Sequence, residues 1–200
     1  MTDIESFLFN IKINKQKPYK GALLIAEPFL REEYFCHAVI CIVEYEIGKS
    51  SMSIVMNKPI SHSLSELIPD IYSEYDLPVY CGGPLSCDRL YYIHSLGNFI
   101  TDAKEISNGL YIGGNIDDII TYINEGNNTY RKIRFFLGYN GWDPGQLENE
   151  LKHNVWAVSN NNYVKELLSG ENDSYWHRYV KSMGKEYRGW QYHPENPQLN

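Results

Sequence analysis

No run of some eighteen apolar residues occurs anywhere in the chain, which excludes an ordinary membrane-spanning helix. The N-terminus has no basic segment, long apolar stretch or small-residue cleavage site, so no secretory signal is expected and the cytoplasm is the default. Basic residues are also scarce: 18 Lys and Arg face 25 Asp and Glu, giving a net charge of −7. Binding to polyanions depends on Lys and Arg displacing phosphate counterions, so this charge opposes non-specific DNA binding. There is no GxGxxG and no Walker lysine. The cysteines, Cys36, Cys41, Cys81 and Cys87, match no paired zinc spacing, and they read as reduced, mostly buried thiols. Cys81, just before a double glycine, is the one candidate for reactivity. Neither a metal nor a cofactor is expected from these patterns.

What is present fits one globular domain over 1–200, large enough to bury a core. Thr2-x-x-Glu5 and the apolar spacing of Ile4, Phe7, Leu8 and Ile11 predict an N-terminal helical extension over 1–17. GALLIAEP (21–28) predicts a short buried strand. CHAVICIVEY (36–45) is apolar on both parities and predicts a strand covered on both faces. Residues 52–57 follow as its hairpin partner, and Ser63-x-x-Glu66 opens a short helix. Strands are further expected at 78–81, 89–95 and 109–114, with 97–108 as a loop. Asn115 caps an amphipathic helix carrying Ile116, Ile119, Ile120 and Ile123.

The densest stretch is RKIRFFLGYNGWDPGQLENELKHNVW (131–156). Ile133, Phe135 and Leu137 alternate with Lys132, Arg134 and Phe136, predicting a strand with one well-buried face. Asn140-Gly141 predicts a sharp turn, and Asp143-Pro144 the start of a helix with Gln146 as capping partner. A strand at 155–158 and helices at 163–168 and 175–183 complete the pattern; 185–200 reads as a surface tail. The last two helices carry balanced charge, unlike a groove-reading pair.

Few residues suggest chemistry. His37 is a lone imidazole without a second His or carboxylate at useful local spacing, so it reads as structural. His94, with Asp88 or Glu150, forms a weak acid/base candidate. The glycine pair Gly82-Gly83 before Pro84 reads as a turn rather than an anion cradle.

Taken together, GALLIAEP, Asn57-Lys58-Pro59, Tyr80-Cys81-Gly82-Gly83-Pro84, Ile93-His94, GYNGWDPGQLENEL (138–151) and Trp156 resemble the YqgE/AlgH family of uncharacterised bacterial proteins. The resemblance spans about residues 20–184, the family core. Two departures are Ser53, where a glycine is usual, and the cysteines flanking the GGP turn. The resemblance implies an α+β fold: a mixed, bifurcated β-sheet curled into a pseudo-barrel and flanked by helices. It carries a label of transcriptional regulator but no accepted catalytic residues.

The preferred reading is a non-enzymatic binding or regulatory module, with protein or small ligand as partner, no membrane, and homo-oligomerisation open. Its expected surface combines Asn57, Pro59, Gly82, Gly83, Pro84, Trp142 and Gln146. The alternatives are direct DNA regulation and an enzyme built on His94.

Overall fold

The computed structural model describes residues 16–32, 34–73, 75–160 and 163–192. The N-terminal extension lies outside these residues. Ten strands form one branched, mostly antiparallel sheet: β1 (Leu23–Ala26), β2 (Val39–Glu44), β3 (Ser51–Val55), β4 (Pro59–Ser63), β5 (Pro78–Cys81), β6 (Leu85–His94), β7 (Lys104–Ser107), β8 (Leu110–Ile112), β9 (Ile133–Trp142) and β10 (Trp156–Ser159). Among the described residues, five α-helices accompany it: α1 (Leu64–Leu67), α2 (Ile116–Asn124), α3 (Gln146–Lys152), α4 (Val164–Leu167) and α5 (Asn172–Ser182). This is an α+β fold whose sheet curls into a half-barrel.

The long strand β9 is where the sheet divides. Along one path the order is β10-β1-β2-β3-β9-β6-β8-β7, with β4 and β5 off it. The first half of β9 pairs in parallel with β5, Val79 opposite Phe135 and Cys81 opposite Leu137. Its second half pairs antiparallel with β3, Ser51 opposite Trp142. Its other edge runs against β6, with a register shift between Leu85 and Leu90. A ten-residue strand can serve two partners in succession because each takes only three residue pairs of one edge.

The β2 expectation holds: Val39, Cys41 and Val43 pack in one apolar cluster, Ile40 and Ile42 in another. A third cluster joins Leu64, Ile119, Ile123 and Phe135. The α2 helix begins as its sequence predicts, the Asn115 side chain accepting from the Asp117 amide at 2.9 Å.

Several expectations are corrected. Asn140-Gly141 makes no turn; both lie within β9, paired with Ser53 and Met52. The chain turns over 143–146 instead, where the Gln146 amide donates to the Asp143 carbonyl, and helix α3 starts after Gly145. Arg134 and Phe136, expected on an open face, are 5% and 0% exposed, since α5 covers that side. Strand β7 lies within the 97–108 segment expected to be a loop, and β4 forms over 59–63, where no strand was expected. The surface-tail reading fails for 185–192, a 3-10 helix that seats Tyr187 and Trp190 in the core. Trp190 stacks parallel to Trp176 at 6.3 Å, and such aromatic area is worth burying.

Candidate functional site

The sequence singled out residues that the fold sends to different places. Gly82 and Gly83 press against β9: a Cβ on Gly82 would stand 2.2 Å from the Gly138 carbonyl oxygen, and one on Gly83 2.3 Å from Tyr139. The Gly82-Gly83 turn therefore meets β9 backbone to backbone and leaves no cradle there. Asn57, expected on the surface, is fully buried. Its amide donates to the carbonyls of His37 (2.9 Å) and Asn172 (3.0 Å), while its Oδ1 accepts from the Val39 amide. Trp142 and Gln146 do share a cleft, of about 580 Å³, with Leu85, Arg89 and Tyr139. The single surface expected for all seven residues is corrected accordingly, since four of them, Asn57, Gly82, Gly83 and Trp142, are buried.

The His94 constellation is also dispersed. His94 is fully buried near one end of β9, opposite Ile133. Its Nε2–H donates to the Gly113 carbonyl at 2.9 Å and its Nδ1 accepts from the Leu96 amide at 3.1 Å. Burial lowers its pKa, against a smaller opposing effect of the Gly113 bond, so a neutral ring is favoured. Glu150 sits beyond the other end of β9, where its carboxylate accepts from both indoles, Trp142 and Trp156, at 2.7 Å. Nine strand steps separate the two ends, roughly 30 Å. Asp88 lies six residues up β6 from His94, roughly 20 Å away at the same rise. The acid/base arrangement expected from the sequence is not assembled.

Two arrangements that the sequence did not single out are assembled instead. The first is a cleft of about 720 Å³ between the start of β5, the loop before β9 and the turn at 168–170. Arg134 lines it, together with Tyr72, Tyr75, Tyr80, Tyr130 and Arg131. The buried guanidinium donates through Nη1 to the Met56 carbonyl (2.6 Å) and through Nη2 to the Gly170 carbonyl. It lies 4.2 Å over the Tyr80 ring and 5.5 Å from that of Tyr175. Among the described residues no carboxylate pairs with it; Glu171 engages the Tyr80 hydroxyl instead. Burial, first, holds that phenol above its ordinary range, with the Arg134 charge opposing, so it remains a neutral hydrogen-bonding group. Tyr72, Tyr75 and Tyr130 form a rim, each at least 66% exposed.

The second is a histidine–carboxylate cluster. His37 is not alone: its Nδ1 meets Asp173 Oδ1, and His177 Nε2 meets Asp173 Oδ2 at 2.9 Å. Asp173 and His177 are one helical turn apart on α5, which puts both side chains on one face. The His37 ring is completely buried, stacked 3.9 Å from Trp176 at an interplanar angle of 4°. Asn57 ties the His37 carbonyl to the first residue of α5, fixing the loop against the helix. Sequence reasoning missed this cluster because His37 and Asp173 stand 136 residues apart. The Asp173-x-x-x-His177 spacing was the available signal.

The chain is similar in sequence and fold to several known proteins. The family model described as DUF179, AlgH-like, matches residues 23–188. A UPF0301 protein of Parabacteroides distasonis is 39% identical over 194 residues, covering 96% of this chain and 97% of that one. One of Bacteroides thetaiotaomicron is 37% identical over 198 residues, covering 99% and 100%. A crystal structure of a Corynebacterium diphtheriae protein superposes with a TM-score of 0.72 at 20% identity, covering 92% of this chain and 96% of that one. The solution structure of AlgH from Pseudomonas aeruginosa, also UPF0301, gives 0.66 at 27% identity, covering 86% and 93%.

Proposed function

The chain belongs to the AlgH-like family of UPF0301 proteins, and from that premise we propose that it is a non-enzymatic binding module for a small anionic ligand carrying a planar ring. The observation that carries this reading is Arg134. A buried guanidinium hydrogen-bonded to two neutral carbonyls keeps a full charge out of water, which is costly unless an anion compensates it. Each Nη nitrogen has a second hydrogen beyond the one its carbonyl takes, in a fork suited to a carboxylate or phosphate. The tyrosine rim supplies faces on which a planar ring can stack.

The test is thermal unfolding with AMP, inorganic phosphate and benzoate as probes. A ligand that binds only the native state raises the melting midpoint by mass action. AMP or benzoate should stabilise the wild-type protein, and Tyr72→Ser, at an exposed rim position, should weaken that gain without altering the unliganded midpoint. Arg134→Leu should abolish it. No shift with any probe, or an equal shift in Arg134→Leu, would remove the proposal. The DNA alternative predicts duplex binding that weakens steeply with salt, and the charge of −7 argues against it.

A further inference from the structure

We infer that His37, Asp173 and His177 form a binding site for a divalent first-row transition ion of the zinc class. One donor atom from each residue lies within 4.8 Å of the other two. Two imidazoles and one carboxylate are the donors that zinc and its neighbours take, whereas magnesium and calcium favour oxygen alone. A tetrahedral ion with ligand bonds of ~2.1 Å spaces its donors about 3.4 Å apart, so the His177–Asp173 contact needs to open by about half an ångström and the shorter His37–Asp173 contact by more. The ion would replace the hydrogens now shared between the carboxylate and the rings, and proton release would accompany binding.

Three further observations describe how His37 is held and directed toward the cluster. His37 turns Nδ1 toward the carboxylate while its buried Nε2 has no hydrogen-bond partner, so the polar contact of the ring is made on the cluster side alone. The His37 backbone has φ of 47°, a left-handed conformation that histidine, like asparagine and aspartate, adopts more often than other non-glycine residues. That conformation is held by the Asn57 amide, a positioning contact of the kind that fixes metal ligands in orientation. Access is provided from one side only: His37 is sealed, while the Asp173 and His177 side chains are each about a third exposed. Three protein ligands leave a fourth position for water, as in open rather than closed zinc sites. This inference stands independently of the Arg134 cleft.

The experiment is titration of the full chain, stripped with a chelator, with Zn(II) followed by calorimetry and with Co(II) followed by visible absorption. One equivalent of zinc should bind, and cobalt should give the ligand-field bands of an N/O site; magnesium should give neither. His177→Gln and Asp173→Asn lie at partly exposed positions and should keep the fold. Each should weaken zinc binding by more than the roughly 10–100-fold typical of losing an outer-shell partner. His153→Gln, at an exposed histidine elsewhere, serves as the control and should bind like wild type. Absence of stoichiometric zinc binding in the wild type would overturn the assignment. So would unchanged affinity in both His177→Gln and Asp173→Asn, or equal loss in His153→Gln.

Discussion

His94 shows what a single buried side chain contributes and what it withholds. Both ring nitrogens are engaged by backbone groups, so the residue fastens β6 to the loops at Leu96 and Gly113. Its pKa is depressed by burial, whereas in the unfolded chain it titrates near the ordinary ~6.5. In the window below that value the unfolded chain binds more protons than the native one. Its contribution is thus fully present above about pH 6.5 and is lost as the pH falls through the native pKa. Urea unfolding between pH 8 and pH 5 should show this decline, and His94→Asn should have a shallower slope whatever its absolute stability; equal slopes would refute the assignment. Arg134 illustrates what local pattern hides. Alternation along 132–137 identifies a strand, but only the α5 layer, distant in sequence, makes both of its faces interior. His37 was likewise legible as a histidine beside a strand and illegible as a member of a cluster, because spacing rules see neighbours in sequence and its partners are on α5.

Helix α3 and the strands beside it are tied by one carboxylate. Glu150 accepts from Trp142 on β9, from Trp156 on β10 and from the Gln146 amide at 2.9 Å. Removing it leaves two indole N–H groups in an apolar cluster without an acceptor, and each such loss costs about 1–3 kcal/mol. Glu150→Ala should therefore lower unfolding free energy by about 3 kcal/mol, measured by denaturant titration, while Asn149→Ala, exposed on the same helix, should change it by less than about 0.5 kcal/mol. Elements whose cues are local were readable. Asn115 and its isoleucine stripe give α2, and the two-parity apolar run gives β2. Lys104–Ser107 has one buried apolar residue, Ile106, and becomes a strand only because β8 offers an edge. The Asn-Gly pair misled for a related reason: it is a common turn signal, but pairing with β3 draws it into an extended strand.

For the molecule as a whole, the branching at β9 sets a hierarchy of local stability. Phe135, Phe136 and Leu137 are flanked by β5 on one edge and β6 on the other, and Phe135 and Phe136 are buried. Strand β7 closes one end of the sheet path and pairs with β8 alone. Native-state hydrogen exchange should accordingly protect the amides of 135–137 to nearly the global unfolding free energy, and those of 104–107 far less. Comparable protection at both places would show that the sheet opens as one piece rather than from its rim.

Helix α5 gives the fold a consequence in time. Trp176 on this helix donates to the Ala26 carbonyl, 150 residues earlier, and the Asn172 amide donates to the Asn57 carbonyl. On a ribosome, the apolar side of β1 and β2 that Trp176 covers is made long before its cover. The nascent chain must carry that surface bare until residues beyond 172 emerge, which exposes it to aggregation and to chaperones during most of synthesis. Ribosome pausing ahead of α5 would lengthen that interval and lower the yield of folded protein, while a pause after Tyr192 would not.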